Sequence, residues 1–188
     1  MKRLTILTIL IVFSCTSLFA QRTSKGQDLF SATITANRSA VGGDFTWGKY
    51  DKHFYWNTGL MFDNVVKRIE GLNENVAFTR FCPEASFMYR LFGTHNRAFS
   101  IYGGGGLFFG IELLDLYCWL SMETYDEMTK KNGFTAGRFI YGGFARIEFE
   151  YFPWRSWAFF VPASLNITGN SKCELVTFNI GLGVRFNY

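Results

Sequence analysis

Six charged residues are spaced so that they could form an ion-pair network. They share one phase of a two-residue repeat in which polar and apolar side chains alternate: Glu84, Arg90, Arg146, Glu148, Glu150 and Arg185. Because alternate side chains of a β-strand point to opposite faces, all six are predicted on one polar face. Arginines and carboxylates enclosed together form salt bridges. We therefore predict a structural charge network and keep a gated proton or ion path as the alternative chemistry.

The other candidates for chemistry are weaker. His53 and His95 fall in predicted tight turns, outside any Ser/His/acid arrangement. The run Gly103–Gly106 lacks the Lys-Ser/Thr of a phosphate-binding loop, and we interpret it as a strand bend that admits bulky neighbours. We predict no catalytic, cofactor-binding or metal-binding residues and expect that the protein is not an enzyme.

The cysteines of the chain could form a disulfide. Cys82, Cys118 and Cys173 follow the predicted signal segment, and in an exported protein one disulfide with one free thiol is the simplest outcome. The sequence leaves the pairing open. Three cysteines without a ligand pattern do not indicate a metal site.

Eight segments with the two-residue repeat must position these side chains. Most run for about ten residues, the span of a tilted membrane strand, and the second is the least regular. They lie near residues 29–36, 44–48, 53–62, 81–91, 99–111, 139–151, 156–167 and 176–188. Pro83 and Pro162 fall inside strands, and we interpret both as β-bulges because proline cannot donate to a ladder.

Short and long connections alternate between these strands. The links around residues 50–53, 93–96 and 152–155 are tight, and those after the third, fifth and seventh strands are longer. This pattern is typical of an up-and-down outer-membrane barrel with periplasmic turns, external loops and both termini in the periplasm. It predicts an all-β, eight-stranded antiparallel up-and-down outer-membrane β-barrel.

Alternation alone does not say whether the apolar face points to lipid or to a soluble core, as in a lipocalin. Aromatic residues make up 19% of the chain, too many large rings for a small interior. Phe54, Trp56, Tyr151 and Trp157 fall near strand ends, where an interfacial girdle belongs. These features favour a lipid-facing apolar surface around a lumen filled with side chains.

The first residues resemble a secretion signal. Lys2 and Arg3 precede the apolar stretch 4–13, and Ala20 is a plausible last residue of the signal. We predict a signal peptide at 1–20 and a transmembrane barrel at 21–188, with lipoprotein processing at Cys15 as the alternative. The net charge of +4 falls to +2 without Lys2 and Arg3, too weak a bias to indicate nucleic-acid binding.

The final strand alternates to the last residue of the chain. Barrel closure requires it to pair with the first strand, Leu29 to Ala36, because unpaired backbone in hydrocarbon is costly. Phe186 and Tyr188 also resemble the C-terminal signal that the outer-membrane insertion machinery reads. Outer-membrane lipid and that machinery are therefore expected partners.

The whole chain is similar to the TraO family of Bacteroidetes conjugative transposon proteins. The matching stretches are the signal ending "AQR", the strands "SIYGGGGLFFGIE" and "FIYGGFARIEFEYF", and the end "NIGLGVRFNY". The resemblance implies a part in conjugative DNA transfer at the outer membrane, in contact with other conjugation proteins, and brings no catalytic residues. The alternatives are a lipid-modifying enzyme of the outer membrane and a small porin-like barrel.

Overall fold

A computed structural model describes residues 26–68, 75–93, 98–114, 137–153, 156–171 and 173–188. The side chains of residues 67, 68, 75 and 76 are outside that description. Eight strands follow one another along the chain. They are β1 (Asp28–Ala36), β2 (Ala40–Tyr50), β3 (Phe54–Arg68), β4 (Asn75–Phe92), β5 (Phe99–Leu114), β6 (Gly137–Tyr151), β7 (Trp157–Gly169) and β8 (Val176–Asn187). None of the described residues forms a helix with the length and hydropathy needed to span a bilayer.

The strands close into one antiparallel barrel in sequence order. Each strand pairs with the next, and β8 returns to β1 in a register from Leu29↔Asn187 to Ala36↔Ile180. Beyond the ladder, the backbones of Asp28 and Tyr188 exchange two hydrogen bonds of 3.2 and 3.1 Å. The predicted eight-stranded up-and-down fold is confirmed, and the last strand pairs with the predicted partner.

The two faces of the wall differ as the alternation predicts. Most outward side chains are apolar, and every strand has large exposed apolar side chains, among them Ile34, Leu107, Phe178 and Leu182. Inward side chains are buried, and 22 described polar or charged residues are among them. Since a soluble fold buries its apolar side chains, this inverted distribution matches a barrel surrounded by lipid.

Aromatic rings surround the end of the barrel that carries both termini. Neighbouring strands contribute contacting pairs with ring centroids 4.7 to 5.7 Å apart: Trp47–Trp56, Phe54–Phe87, Phe99–Tyr151 and Trp157–Phe186. Aromatic girdles occupy the interfaces of transmembrane barrels.

Several strands are longer than the repeat indicated. The third continues to Arg68, the fourth begins at Asn75, and the least regular segment is a full strand from Ala40 to Tyr50. Only residues 37–39 therefore connect β1 to β2, and the long link after the fifth strand is residues 115–136. The difference arises because β-pairing with a neighbour extends strands beyond the stretch in which polarity alternates cleanly.

Neither proline forms a bulge, so that interpretation is wrong. Pro83 lies opposite Leu60, and the β4–β5 register is the same on its two sides. Pro162 lies opposite Glu148, again without a register shift in the β7–β8 ladder. On one side of each proline the ladder is interrupted over two residues, Cys82 with Pro83 and Val161 with Pro162, and then resumes in the same register. The ladder on the other side is continuous. The shift in the β4–β5 ladder lies instead between Arg90 and Phe92.

Candidate functional site

The lumen near the chain termini is filled by a cluster around Arg185. Its guanidinium group donates to Glu150 (Nη1–Oε1 2.5 Å) and Glu148 (Nη2–Oε2 2.8 Å). It also lies 4.4 and 4.6 Å from the ring centroids of Phe160 and Tyr55. Such charge-assisted bonds are short and geometrically specific, and they hold the group across the barrel from β8 to β6.

Two tyrosines complete this cluster. The Tyr50 hydroxyl donates to Glu150 Oε1 at 3.0 Å, and the Tyr55 hydroxyl donates to Glu148 Oε2. Both hydroxyls also accept from Arg185. Each carboxylate therefore has a cation and a hydroxyl donor, the arrangement that makes a buried ion pair tolerable.

A second cluster is centred on Arg146 in the middle of the lumen. Arg146 Nη2 lies 3.3 Å from Asp44 Oδ2 and 3.8 Å from Glu84 Oε2, and Nη1 lies 3.8 Å from Glu148 Oε1. The Phe144 ring covers the guanidinium at 4.6 Å. Glu148 thus connects the two arginine clusters.

A third cluster lies toward the opposite mouth. Arg80 Nε donates to Glu112 Oε2 at 2.9 Å, and both residues bond Ser171 Oγ, at 2.8 and 2.7 Å. Ser171 belongs to the turn between β7 and β8, so this turn reaches β4 and β5 across the mouth. Asn170, which precedes it, has a φ of 60°, a conformation that asparagine tolerates.

Five of the six predicted network residues lie in the connected clusters around Arg146 and Arg185. Arg90 reaches the Arg185 cluster through Tyr102, whose hydroxyl it bonds at 3.0 Å and whose ring lies 5.1 Å from that of Tyr55. Arg90 also donates to the Lys52 carbonyl at 3.0 Å. The prediction omitted Asp44, Asp63, Arg80 and Glu112, which are also buried. Asp44 keeps the polar phase of its predicted strand, whereas Asp63, Arg80 and Glu112 lie beyond the strand ends that the repeat indicated.

His53 is exposed in the turn between β2 and β3, and His95 and Cys118 lie outside the described residues. Gly104 and Gly106 face Met88 and Phe144 so closely that a β-carbon would clash, in keeping with a segment that admits bulky neighbours. Across the described ranges, no group of three His, Cys, Asp or Glu side chains could hold a metal ion.

Cys82 is a free thiol, fully buried between Met61 and the other apolar lumen residues. The structure therefore excludes a disulfide at Cys82. Cys173 lies in the β7–β8 turn, where its backbone N–H donates to Ser171 Oγ at 3.0 Å.

The two predicted insertion-signal residues lie at the closing seam. Phe186 pairs with Phe30 of β1, and its ring packs 4.9 Å from Trp157 and 5.8 Å from Tyr188. Tyr188 is exposed on the apolar side of the barrel. Both residues therefore belong to the aromatic ring at the end that carries the termini.

Two solved outer-membrane proteins of Pseudomonas aeruginosa have a similar fold. OprG is 12% identical with a TM-score of 0.60, and the match covers 90% of this chain and 99% of that chain. The N-terminal β-barrel domain of OprF is 17% identical with a TM-score of 0.50, covering 87% and 98%. At these identities the likeness concerns the fold alone. No curated protein sequence gives a significant match.

The conjugative transposon protein TraO family matches residues 29–188, from the first residues of β1 to the end of the chain. The match thus spans the barrel wall and every cluster of the charged lumen. The chain belongs to the family of conjugative transposon protein TraO.

Proposed function

We propose that this protein is a non-enzymatic outer-membrane component of a conjugative transposon DNA-transfer apparatus, where it acts through contacts with other conjugation proteins. The observation that carries the proposal is the inverted barrel: an apolar wall surrounds a lumen of buried ion pairs, in a chain of the TraO family. Membership of the family supplies the link to conjugation.

The outer wall supports a location in the outer membrane, which we expect the chain to reach by export with removal of the signal at 1–20. Apolar side chains cover each strand, and the aromatic ring marks one interface. The expected contacts of this surface are lipid and, during assembly, the barrel-insertion machinery that reads Phe186 and Tyr188.

The filled lumen supports a role that does not depend on transport through the barrel. Arg185 and Arg146 join β8, β6, β2 and β4 across the interior. Eight-stranded barrels have interiors just wide enough for side chains. A DNA strand would have to displace these ion pairs, so we expect no direct nucleic-acid binding and assign partner contacts to the external loops or periplasmic turns.

Deletion and complementation of the gene test this function. We expect the deletion to abolish conjugative transfer and the wild-type gene to restore it. A variant with the external loop 115–136 shortened and a variant with Asp51, Lys52 and His53 replaced by alanine identify the contact surface. Outer-membrane amounts of each variant are compared, so that loss of assembly is not mistaken for loss of contact.

Two controls separate the alternatives. Unchanged lipid composition in the deletion strain is expected, whereas a missing lipid modification would favour the enzyme. Purified barrel in planar bilayers should show no conductance, whereas steady conductance would favour the porin-like barrel. Normal transfer from the deletion strain would refute the proposed role.

A further inference from the structure

The Glu84 carboxyl group is enclosed in the lumen without a hydrogen-bond donor. Its side chain has no exposed surface, and neither carboxyl oxygen has a hydrogen-bond partner in the described structure. The nearest cation in the described ion pairs is Arg146, whose Nη2 lies 3.8 Å from Oε2. By contrast, Glu148 and Glu150 each receive hydrogen bonds from Arg185 and from a tyrosine.

Arg146 is shared among several acids. Asp44 is closer to it, at 3.3 Å, and Glu148 lies at 3.8 Å from its other terminal nitrogen. Asp63 on β3 is a further buried acid whose charge, when it is ionised, opposes ionisation of Glu84. The groups that face Glu84 are thus Asp44 from β2, Asp63 from β3, and Arg146 and Glu148 from β6.

A buried carboxylate is tolerated when donors or a dedicated cation replace its water, and otherwise it takes up a proton. Glu84 has no hydrogen-bond donor. Its cation in the described ion pairs, Arg146, lies 3.8 Å away and also pairs with Asp44 and Glu148. We propose that Glu84 binds a proton in the folded barrel and is held as a neutral carboxylic acid, so that the centre of the lumen is a proton-binding site. This inference does not depend on the proposed role in conjugation.

The proton links the stability of the barrel to pH. Glu84 is ionised in the unfolded chain at neutral pH, so folding takes up one proton from solvent to convert the carboxylate to the acid. A state that binds more protons when folded is stabilised at lower pH and loses that stabilisation as the pH rises. At alkaline pH the proton leaves, and additional negative charge faces Arg146 from Glu84, Asp44 and Glu148.

Infrared spectroscopy of the assembled wild-type barrel at neutral pH tests the site. We expect a carbonyl stretching band of a protonated carboxylic acid, shifted by ¹³C-labelled glutamate. The band should disappear in Glu84→Gln and remain in the control Glu150→Gln, which removes a carboxylate that pairs with Arg185 and has no described ion pair with Arg146. Absence of the band from wild-type protein, or its persistence in Glu84→Gln, would overturn the proposal. Glu84→Met provides a second removal of the carboxyl group if the glutamine variant does not assemble.

Stability measurements provide an independent readout. The unfolding midpoint in urea should decrease from neutral to alkaline pH in wild-type protein, and this decrease should be smaller in Glu84→Gln. Glu150→Gln should retain the wild-type slope at a lower midpoint. Equal slopes in wild type and Glu84→Gln would contradict a proton held by Glu84.

Discussion

Arg185 of the last strand and Glu148 of the sixth strand are joined by a 2.8 Å hydrogen bond between Nη2 and Oε2, although 37 residues separate them. Both side chains are 1% exposed. The bond spans the interior between strands that are not neighbours in the wall. It therefore contributes a connection that the backbone ladder does not supply.

Replacement of Arg185 by methionine should strongly destabilise the barrel. Glu148 and Glu150 would lose their shared cation in a buried site, a change that costs about 3 to 5 kcal/mol. Urea unfolding, followed by the gel mobility of folded and unfolded protein, measures the loss. Arg38→Met, at an exposed position, is the control and should change stability by about 0.5 kcal/mol or less. A similar effect of both variants would show that the buried cluster is not stabilising.

Replacement of Leu182 by arginine should reduce assembly. Leu182 is 71% exposed on the outer wall, and a charge facing lipid near the midplane costs about 2 to 4 kcal/mol. The amount of heat-modifiable protein in outer-membrane fractions is the measurement. Leu182→Met is the matched control and should assemble normally. Serine at Gly183 is unsuitable, because the Phe160 ring occupies the space that its β-carbon needs. Equal assembly of the arginine and methionine variants would argue against lipid contact.

Deletion of Phe186 to Tyr188 should block membrane assembly while export continues. The deletion removes the pairs with Leu29 and Phe30 and the bonds between Asp28 and Tyr188, which leaves backbone groups unpaired at the seam. Urea-resistant protein in membrane fractions is the readout. Tyr188→Phe should be mild because the ring is kept, and Phe186→Asp should be severe. Normal assembly of the truncated protein would contradict closure by the last strand.

The link between β5 and β6, residues 115–136, should face the cell exterior. The strands that it joins end at the mouth opposite the termini. A tag inserted near Lys130 should be cleaved by protease added to intact cells, and a tag near His95 should be protected. The reverse pattern would invert the topology.

Cys82 should resist thiol reagents in the folded barrel. Its side chain is fully buried, so maleimide labelling of a Cys118→Ser/Cys173→Ser variant should require unfolding. If Cys118 and Cys173 form a disulfide, the Cys82→Ser variant should migrate differently on a gel with and without reductant. Rapid labelling of Cys82 in folded protein would show that thiol reagents can enter the lumen as far as Cys82.

The sequence by itself determined the number of strands, their order and the face that each side chain takes. The alternation in β8 assigned Leu182 to the outer wall and Arg185 to the lumen, because a two-residue period has only two possible faces. The final aromatic residues indicated that β8 continues to the end of the chain, and its pairing with β1 agrees.

The tertiary structure decided which charges meet. Arg90 and Arg185 follow the same sequence rule, yet Arg185 pairs with Glu148 and Glu150 whereas Arg90 bonds Tyr102. Contacts across a lumen depend on strand tilt and stagger, which the repeat of a single strand does not encode. For the same reason the Ser171 contact with Arg80 and Glu112, and the position of Glu84 beside a shared Arg146, emerged only when the barrel closed.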